Sequence, residues 1–88
     1  MLFGVYSIRD AKAGFLAPTL DQNGDSAIRN FEHAIMITDS MFMTHAVDFS
    51  LWHIADFETD TGTIVPLVPP IQLVCADSIV KGVKNGEK

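Results

Sequence analysis

Residues 49 to 58, Phe49-Ser50-Leu51-Trp52-His53-Ile54-Ala55-Asp56-Phe57-Glu58, carry the clearest strand signal in the chain. Successive side chains of a strand point to opposite faces. One predicted face therefore carries Phe49, Leu51, His53, Ala55 and Phe57, and the other carries Ser50, Trp52, Ile54, Asp56 and Glu58. We expect this strand to be the element on which the rest of the sheet assembles.

The residues after this strand predict a hairpin whose second strand is interrupted. Residues 59–62, Thr-Asp-Thr-Gly, are typical of a tight turn, and 63–65 begin the partner strand. Pro66 has no backbone N–H for a ladder, so it must end that strand or confine it to a sheet edge. Residues 71–74 predict a short last strand, and 77–81 predict one or two helical turns that Gly82 stops.

The N-terminal residues predict a second hairpin. Residues 2–9 place apolar side chains on both strand faces, which is typical of a central strand. Residues 10–14 form a polar turn that ends in glycine, and 15–17 return as a second strand before Pro18 limits the pairing.

One long helix is predicted between the two hairpins, over about residues 26–37. We expect Asp25 to be its N-cap, because a carboxylate there accepts hydrogen bonds from unpaired amides of the first turn. The apolar stripe at helical spacing consists of Ala27, Ile28, Phe31, Ala34, Ile35 and Thr38. Residues 38–48 have no periodicity and predict a loop with a hydrophobic plug at Met41-Phe42-Met43.

The element order β-β-α-β-β, with a short C-terminal element, predicts an α+β fold with one main helix on a mainly antiparallel sheet. We expect residues 1–81 to form a single domain and 82–88 to form a polar tail. A chain of 88 residues buries only about 60–65% of its unfolded surface. Because a single helix covers only one of two apolar sheet faces, we predict a homodimer or higher oligomer.

Charge and cysteine content restrict function and compartment. Six basic and eleven acidic residues give a net charge of −5, and no base lies between Arg29 and Lys81. This distribution disfavours tight, non-specific nucleic-acid binding by a monomer. A lone cysteine needs no oxidising compartment, and we predict no signal peptide and no transmembrane helix, because the apolar runs are too short.

The side chains that could act in catalysis or bind a metal do not form a recognisable catalytic motif. His33, His45 and His53 have no partners at metal-ligand spacing, and Cys75 is predicted to be a small core residue. Asp56, Glu58 and Asp60 could form a cation site or an acid-base pair, although a solvated turn is the simpler interpretation. We therefore predict no enzyme, no metal and no cofactor.

Two sets of residues are candidates for binding. Arg9, Lys12 and Arg29, with the rings of Tyr6 and Phe15, could provide cations for phosphates and surfaces for base stacking. Both rings also fit a sheet core, as their alternation allows. Trp52 and Ile54 lie on the more polar face of the strand over residues 49–58 and would mark a partner interface if exposed.

Three ordered motifs resemble the small nonstructural protein of gokushovirus-type microviruses, which are single-stranded DNA bacteriophages. They are Tyr6-Ser7-Ile8-Arg9-Asp10-Ala11-Lys12, then Ala27-Ile28-Arg29-Asn30-Phe31, then His45-Ala46-Val47-Asp48-Phe49-Ser50-Leu51 leading to an acidic turn. The resemblance spans about residues 5–75.

The resemblance implies a protein of the infected host's cytoplasm that is absent from the virion and assists phage DNA replication. Arg9, Lys12 and Arg29 match the recurring basic positions, and no catalytic residue is implied. Two functions stay open. One is an accessory of single-stranded DNA replication that binds the DNA weakly, and the other is an adaptor that binds a phage or host replication or assembly protein without touching DNA.

Overall fold

The computed structural model of the chain describes residues 1–37 and 41–86, the last four of them by their backbone alone. The strands are β1 (Leu2–Asp10), β2 (Gly14–Phe15), β3 (Thr19–Asp21), β4 (Phe49–Glu58) and β5 (Thr63–Cys75). The helices are α1 (Gly24–Met36), α2 (Met41–Thr44) and α3 (Ala76–Gly86), with a 3-10 turn at Ala46–Asp48. The predicted α+β class is confirmed.

All strand pairs of the sheet are antiparallel. The order is β2-β1-β4-β5, and β3 pairs with β1 on the same side as β2. The prediction that β1 is a central strand is confirmed, as is the N-terminal hairpin of β1 and β2. β3 is not predicted by the local sequence, because Pro18 interrupts the edge and the pairing resumes only at Thr19.

The bounds of β4 match the prediction, but its alternation is interrupted. Val5 pairs with Ala55 while Tyr6 pairs with His53, so Ile54 is an extra residue in β4, a β-bulge. Ala55 and Phe57 consequently leave the face of Phe49, Leu51 and His53 to which the regular alternation assigned them.

β5 is one long edge strand rather than the two predicted pieces. It follows the predicted four-residue turn, where Gly62 has a φ of +74° that favours glycine. Its pairing with β4 jumps from Ile71 to Pro66 across the peptide bond Val68-Pro69, which is cis. The expectation that Pro66 lies at a sheet edge is confirmed.

α1 has the predicted apolar stripe but a different N-cap. Ala27, Phe31 and Ile35 are buried, and Thr38 lies outside the described residues. The side chain of Asn23, not Asp25, accepts the hydrogen bond from the Ser26 amide at 2.9 Å. The helix begins two residues earlier than predicted, which leaves Asp25 in its first turn.

Two further segments differ from the prediction. Residues 41–48 are not a loop but form α2 and the 3-10 turn. Of the predicted plug, Phe42 packs against the core, whereas Met41 and Met43 are exposed. α3 continues past Gly82 to Gly86, since glycine lowers helix propensity without forbidding a helix and Ala76 and Val80 anchor its first turns in the core.

One core joins all the helices to one face of the sheet. Its buried members are Tyr6, Ala27, Phe31, Ile35, Ala46, Phe49, Leu51, Ala76 and Val80. We call the face that carries Tyr6 and Leu51 the inner face. The opposite face, which carries Arg9 and Trp52, is the outer face, and no helix in the described parts of the chain packs on it.

Candidate nucleic-acid interface

Three side chains from three strands meet on the outer face. Arg9 of β1 pairs with Phe15 of β2, and its guanidinium carbon lies 6.0 Å from the centre of the Phe15 ring. The Trp52 ring of β4 contacts Phe15 edge to face, with ring centres 5.9 Å apart. We call Arg9, Phe15 and Trp52 the outer-face cluster.

The rings of this cluster are held in place but stay accessible. Phe15 is 48% exposed. The half-buried Trp52 donates a hydrogen bond from Nε1 to the Ser50 hydroxyl at 2.8 Å, which fixes the indole plane. A cation beside two accessible rings can hold a phosphate and stack an unpaired base.

Lys12 adds a second cation near the cluster. It lies in the exposed turn between β1 and β2, and its backbone amide donates to the Asp10 carboxylate at 2.9 Å. The hydrogen bond holds the turn closed and leaves the lysine side chain in solvent. Asp10 places a negative charge in the same turn, so the local positive charge is modest.

The structure separates two of the predicted nucleic-acid residues from this cluster. Arg29 is exposed on α1, which packs against the inner face, so it lies on the other side of the sheet from Arg9. Tyr6 is only 3% exposed and belongs to the core, and its ring is therefore closed to a base. Alternation along β1 already puts Tyr6 and Arg9 on opposite faces, whereas the side of the sheet on which α1 packs is not readable from local spacing.

Tyr6 instead packs beside two polar side chains on the inner face of the sheet. Its ring stacks on His53 with centres 4.8 Å apart, and His53 Nε2 lies 2.9 Å from the Asp56 carboxylate. That pair is three residues apart and shares a face because of the bulge at Ile54. Burial, followed by the nearby carboxylates of Asp21 and Asp56, raises the pKa of Tyr6.

Glu58 and Asp60 lie at the opposite end of the sheet from the cluster. The N-terminal amine pairs with Glu58 and with Asp60, the latter at 3.2 Å. The hydrogen bond from this amine lowers the pKa of Glu58, and the same bond raises the pKa of the amine. At ~3.3 Å per residue, Glu58 lies about 25 Å along β4 from Ser50, the partner of Arg9. Screening over ~8–10 Å makes its repulsion of a phosphate at Arg9 small.

The other predicted site residues do not assemble into a site. Ile54, the bulge residue, is half-buried, and Cys75 is exposed rather than in the core, because it ends the edge strand β5. Within residues 1–37 and 41–86, no three His, Cys, Asp or Glu side chains are grouped so as to hold a metal ion. In the same part of the chain, no helix combines the length and the apolar character needed to cross a membrane.

A small cleft opens between α1 and the β1–β3 edge. Its volume is about 180 Å³, and its lining is mostly apolar, including Tyr6, Ala27, Phe31 and Ala34. Asn30 donates to the Asp21 carboxylate at 2.9 Å at its polar rim. The small alanine side chains leave this space open beside the core.

Comparison with known proteins assigns the family. A search of curated proteins and a search of solved structures each found no match. A scan against protein families matches residues 3–80 to the family described as Phage ORF5 protein. This match covers β1 from its second residue onward, the other four strands, α1, α2 and the start of α3. The chain therefore belongs to the Phage ORF5 protein family.

Proposed function

We propose that this phage protein is a non-enzymatic accessory of single-stranded DNA genome replication in the host cytoplasm, and that it binds single-stranded DNA weakly. The observation that carries the proposal is the outer-face cluster, in which Arg9 lies beside the accessible rings of Phe15 and Trp52. Sequence-independent single-strand binding uses this combination of cation and stacking surface. The resemblance to microvirus nonstructural proteins supplies the replication role.

The binding is weak because few cations are available. Arg9 and Lys12 are the bases near the cluster, and the net charge of −5 opposes approach of the DNA. Base stacking contributes about 1–3 kcal/mol per base in such sites. Two stacked bases therefore contribute about 2–6 kcal/mol, which corresponds to weak binding at low salt.

Fluorescence of the single tryptophan tests the proposal directly. Oligothymidylate titrated into the protein at low salt should quench Trp52 as a base stacks on it. Arg9→Ala and Phe15→Ala should each weaken binding. Arg29→Ala is the matched control, because it removes the same charge from the other side of the sheet and should bind like the wild type. Absence of binding at low salt, or equal losses for the two arginine variants, would refute the proposed site.

An adaptor function is the second candidate, and exposed side chains on β5 favour it. Val68 is 89% exposed, and Ile71 is 52% exposed. Such apolar exposure at a sheet edge is typical of a surface that binds another protein. Capture of a phage or host replication protein that Val68→Asp abolishes, in a protein with no affinity for DNA, would establish this alternative.

A further inference from the structure

We propose that a second copy of this chain covers the outer face, in a two-fold arrangement that lays the basic end of one copy over the acidic end of the other. This inference goes beyond the proposed function, because self-association and DNA binding then compete for the same surface. It starts from the apolar side chains that the outer face exposes.

The outer face presents large apolar side chains along its whole length. Cross-strand pairing and alternation place six of them there, namely Phe3, Phe15, Leu20, Trp52, Phe57 and Ile64. Leu20 is 50% exposed and Ile64 is 62% exposed. Val5, Ser7 and Ala55 lie between the large ones and are buried, so a partner would contact the large side chains rather than these three residues.

The sheet edges are poorly suited to pairing with another copy. Pro18 interrupts the edge formed by β2 and β3, and Pro66, Pro69 and Pro70 interrupt β5. Proline removes the N–H donors on which edge-to-edge pairing depends. Self-association of this chain is therefore directed to the face.

Exposed side chains of opposite charge lie in the turns at the two ends of the sheet. Lys12 extends from the turn at one end of β1, and Asp60, with a side chain 82% exposed, lies in the turn beyond the other end. A two-fold axis through the middle of the face, near Val5 and Ala55, brings Lys12 of each copy close to Asp60 of the other. In this isologous arrangement the same contact, Lys12 of one copy with Asp60 of the other, forms once at each end of the interface.

The available area indicates a reversible dimer. Phe15, Leu20 and Ile64 are about half exposed, and Phe3, Trp52 and Phe57 are partly buried. Together the six offer roughly 400 Å² of apolar surface per copy, given ~150–250 Å² for a fully exposed aromatic residue. This lies at the lower limit of specific interfaces, where association is typically transient. We expect dissociation in the micromolar range. Phe15 and Trp52 are buried in this dimer, so single-stranded DNA at the outer-face cluster displaces the second copy.

Exchanging the charges of Lys12 and Asp60 tests the arrangement. Sedimentation velocity over a concentration series measures the dimer dissociation constant of each variant. Lys12→Glu and Asp60→Lys should each raise the dimer dissociation constant by roughly tenfold, and the double variant should restore it. Glu32→Lys, an exposed change on α1 with the same charge difference as Asp60→Lys, should have no such effect. A strictly monomeric wild type, or a double variant no better than the single ones, overturns the proposal.

A second pair of variants tests the apolar surface without unfolding the core. Ile64 lies on the outer face, and Ile64→Lys should abolish the dimer. Val65 is its exposed neighbour on the inner face, and Val65→Lys should leave the dimer intact. Equal effects of the two variants would contradict the proposed face. Thermal melting confirms that both variants fold. Asp60→Lys weakens the dimer but leaves Arg9, Phe15 and Trp52 unchanged. The affinity of this variant for oligothymidylate therefore tests the DNA proposal independently of the dimer.

Discussion

The ring of Tyr6 lies over the backbone of Gly4, two residues earlier on the same strand and on the same inner face. A Cβ built on Gly4 would collide with the hydroxyl, Cζ and Cε2 atoms of that ring. The absence of a side chain at residue 4 therefore lets Tyr6 fold back along β1 and reach its stack on His53. One glycine thus determines the position of the largest polar side chain in the core.

Gly4→Ala should lower the free energy of unfolding by about 1–3 kcal/mol, because the added methyl group forces the buried Tyr6 ring off its rotamer. Urea denaturation measures the loss. Gly82→Ala is the control, since a Cβ there meets nothing within 4 Å. A Gly4→Ala protein as stable as the wild type would contradict the placement of Tyr6.

Phe31→Ala should destabilise the domain by about 3–5 kcal/mol, the usual cost of truncating a core aromatic side chain. Phe31 is 3% exposed at the centre of the α1 stripe, and its ring lies 6.2 Å from that of Phe42. Circular dichroism at rising temperature checks this, and a marginally stable chain of this size is expected to unfold near room temperature. An unchanged melting temperature would show that α1 packs through another face.

Asn23→Ala should cost about 1 kcal/mol, and Asp25→Ala should cost less, because Asn23 makes the capping hydrogen bond. Asp25 only adds a favourable charge in the first turn of α1, worth about 0.3–1 kcal/mol. Chemical denaturation of the two variants ranks them. The reverse order would support Asp25 as the cap, which the sequence alone predicts.

The parts of the fold that sequence reasoning found are those set by local periodicity. The α1 stripe and the β4 alternation are visible because burial on one face imposes a fixed spacing. The bulge at Ile54 is not visible, since an extra residue in one strand depends on its partner. The same limit applies to the site, where Phe15 and Trp52 are 37 positions apart in sequence and meet only through the pairing of three strands.

Tyr6 should ionise above the ordinary tyrosine range, because burial and the carboxylates of Asp21 and Asp56 raise its pKa. It is the only tyrosine, so its absorbance at high pH can be followed without interference. A raised pKa in the folded state favours the neutral phenol. Its contribution to stability is therefore complete below the ordinary pKa of about 10 and is lost as the pH rises through the raised value.

Asp21→Asn tests the electrostatic part of this shift and should move the Tyr6 pKa back toward its ordinary value, leaving the parts that burial and Asp56 cause. Glu32→Gln, an exposed change on α1, should leave the pKa of Tyr6 unchanged. Ionisation of Tyr6 at the ordinary value in the folded wild-type protein would mean that its ring is solvated.

The salt dependence of DNA binding should be shallow, because only Arg9 and Lys12 lie where they can neutralise phosphates beside the outer-face cluster. Each phosphate contact on a single strand contributes about 0.7 to the slope of log affinity against log salt, so the wild-type slope should be near 1.4. Arg9→Ala should reduce it by about 0.7, and Arg29→Ala should leave it unchanged. Trp52 quenching at several salt concentrations measures all three. A wild-type slope above about 3 would require more than four phosphate contacts by the same rule, which these two cations do not supply. The DNA path would then have to reach Arg29 across the molecule.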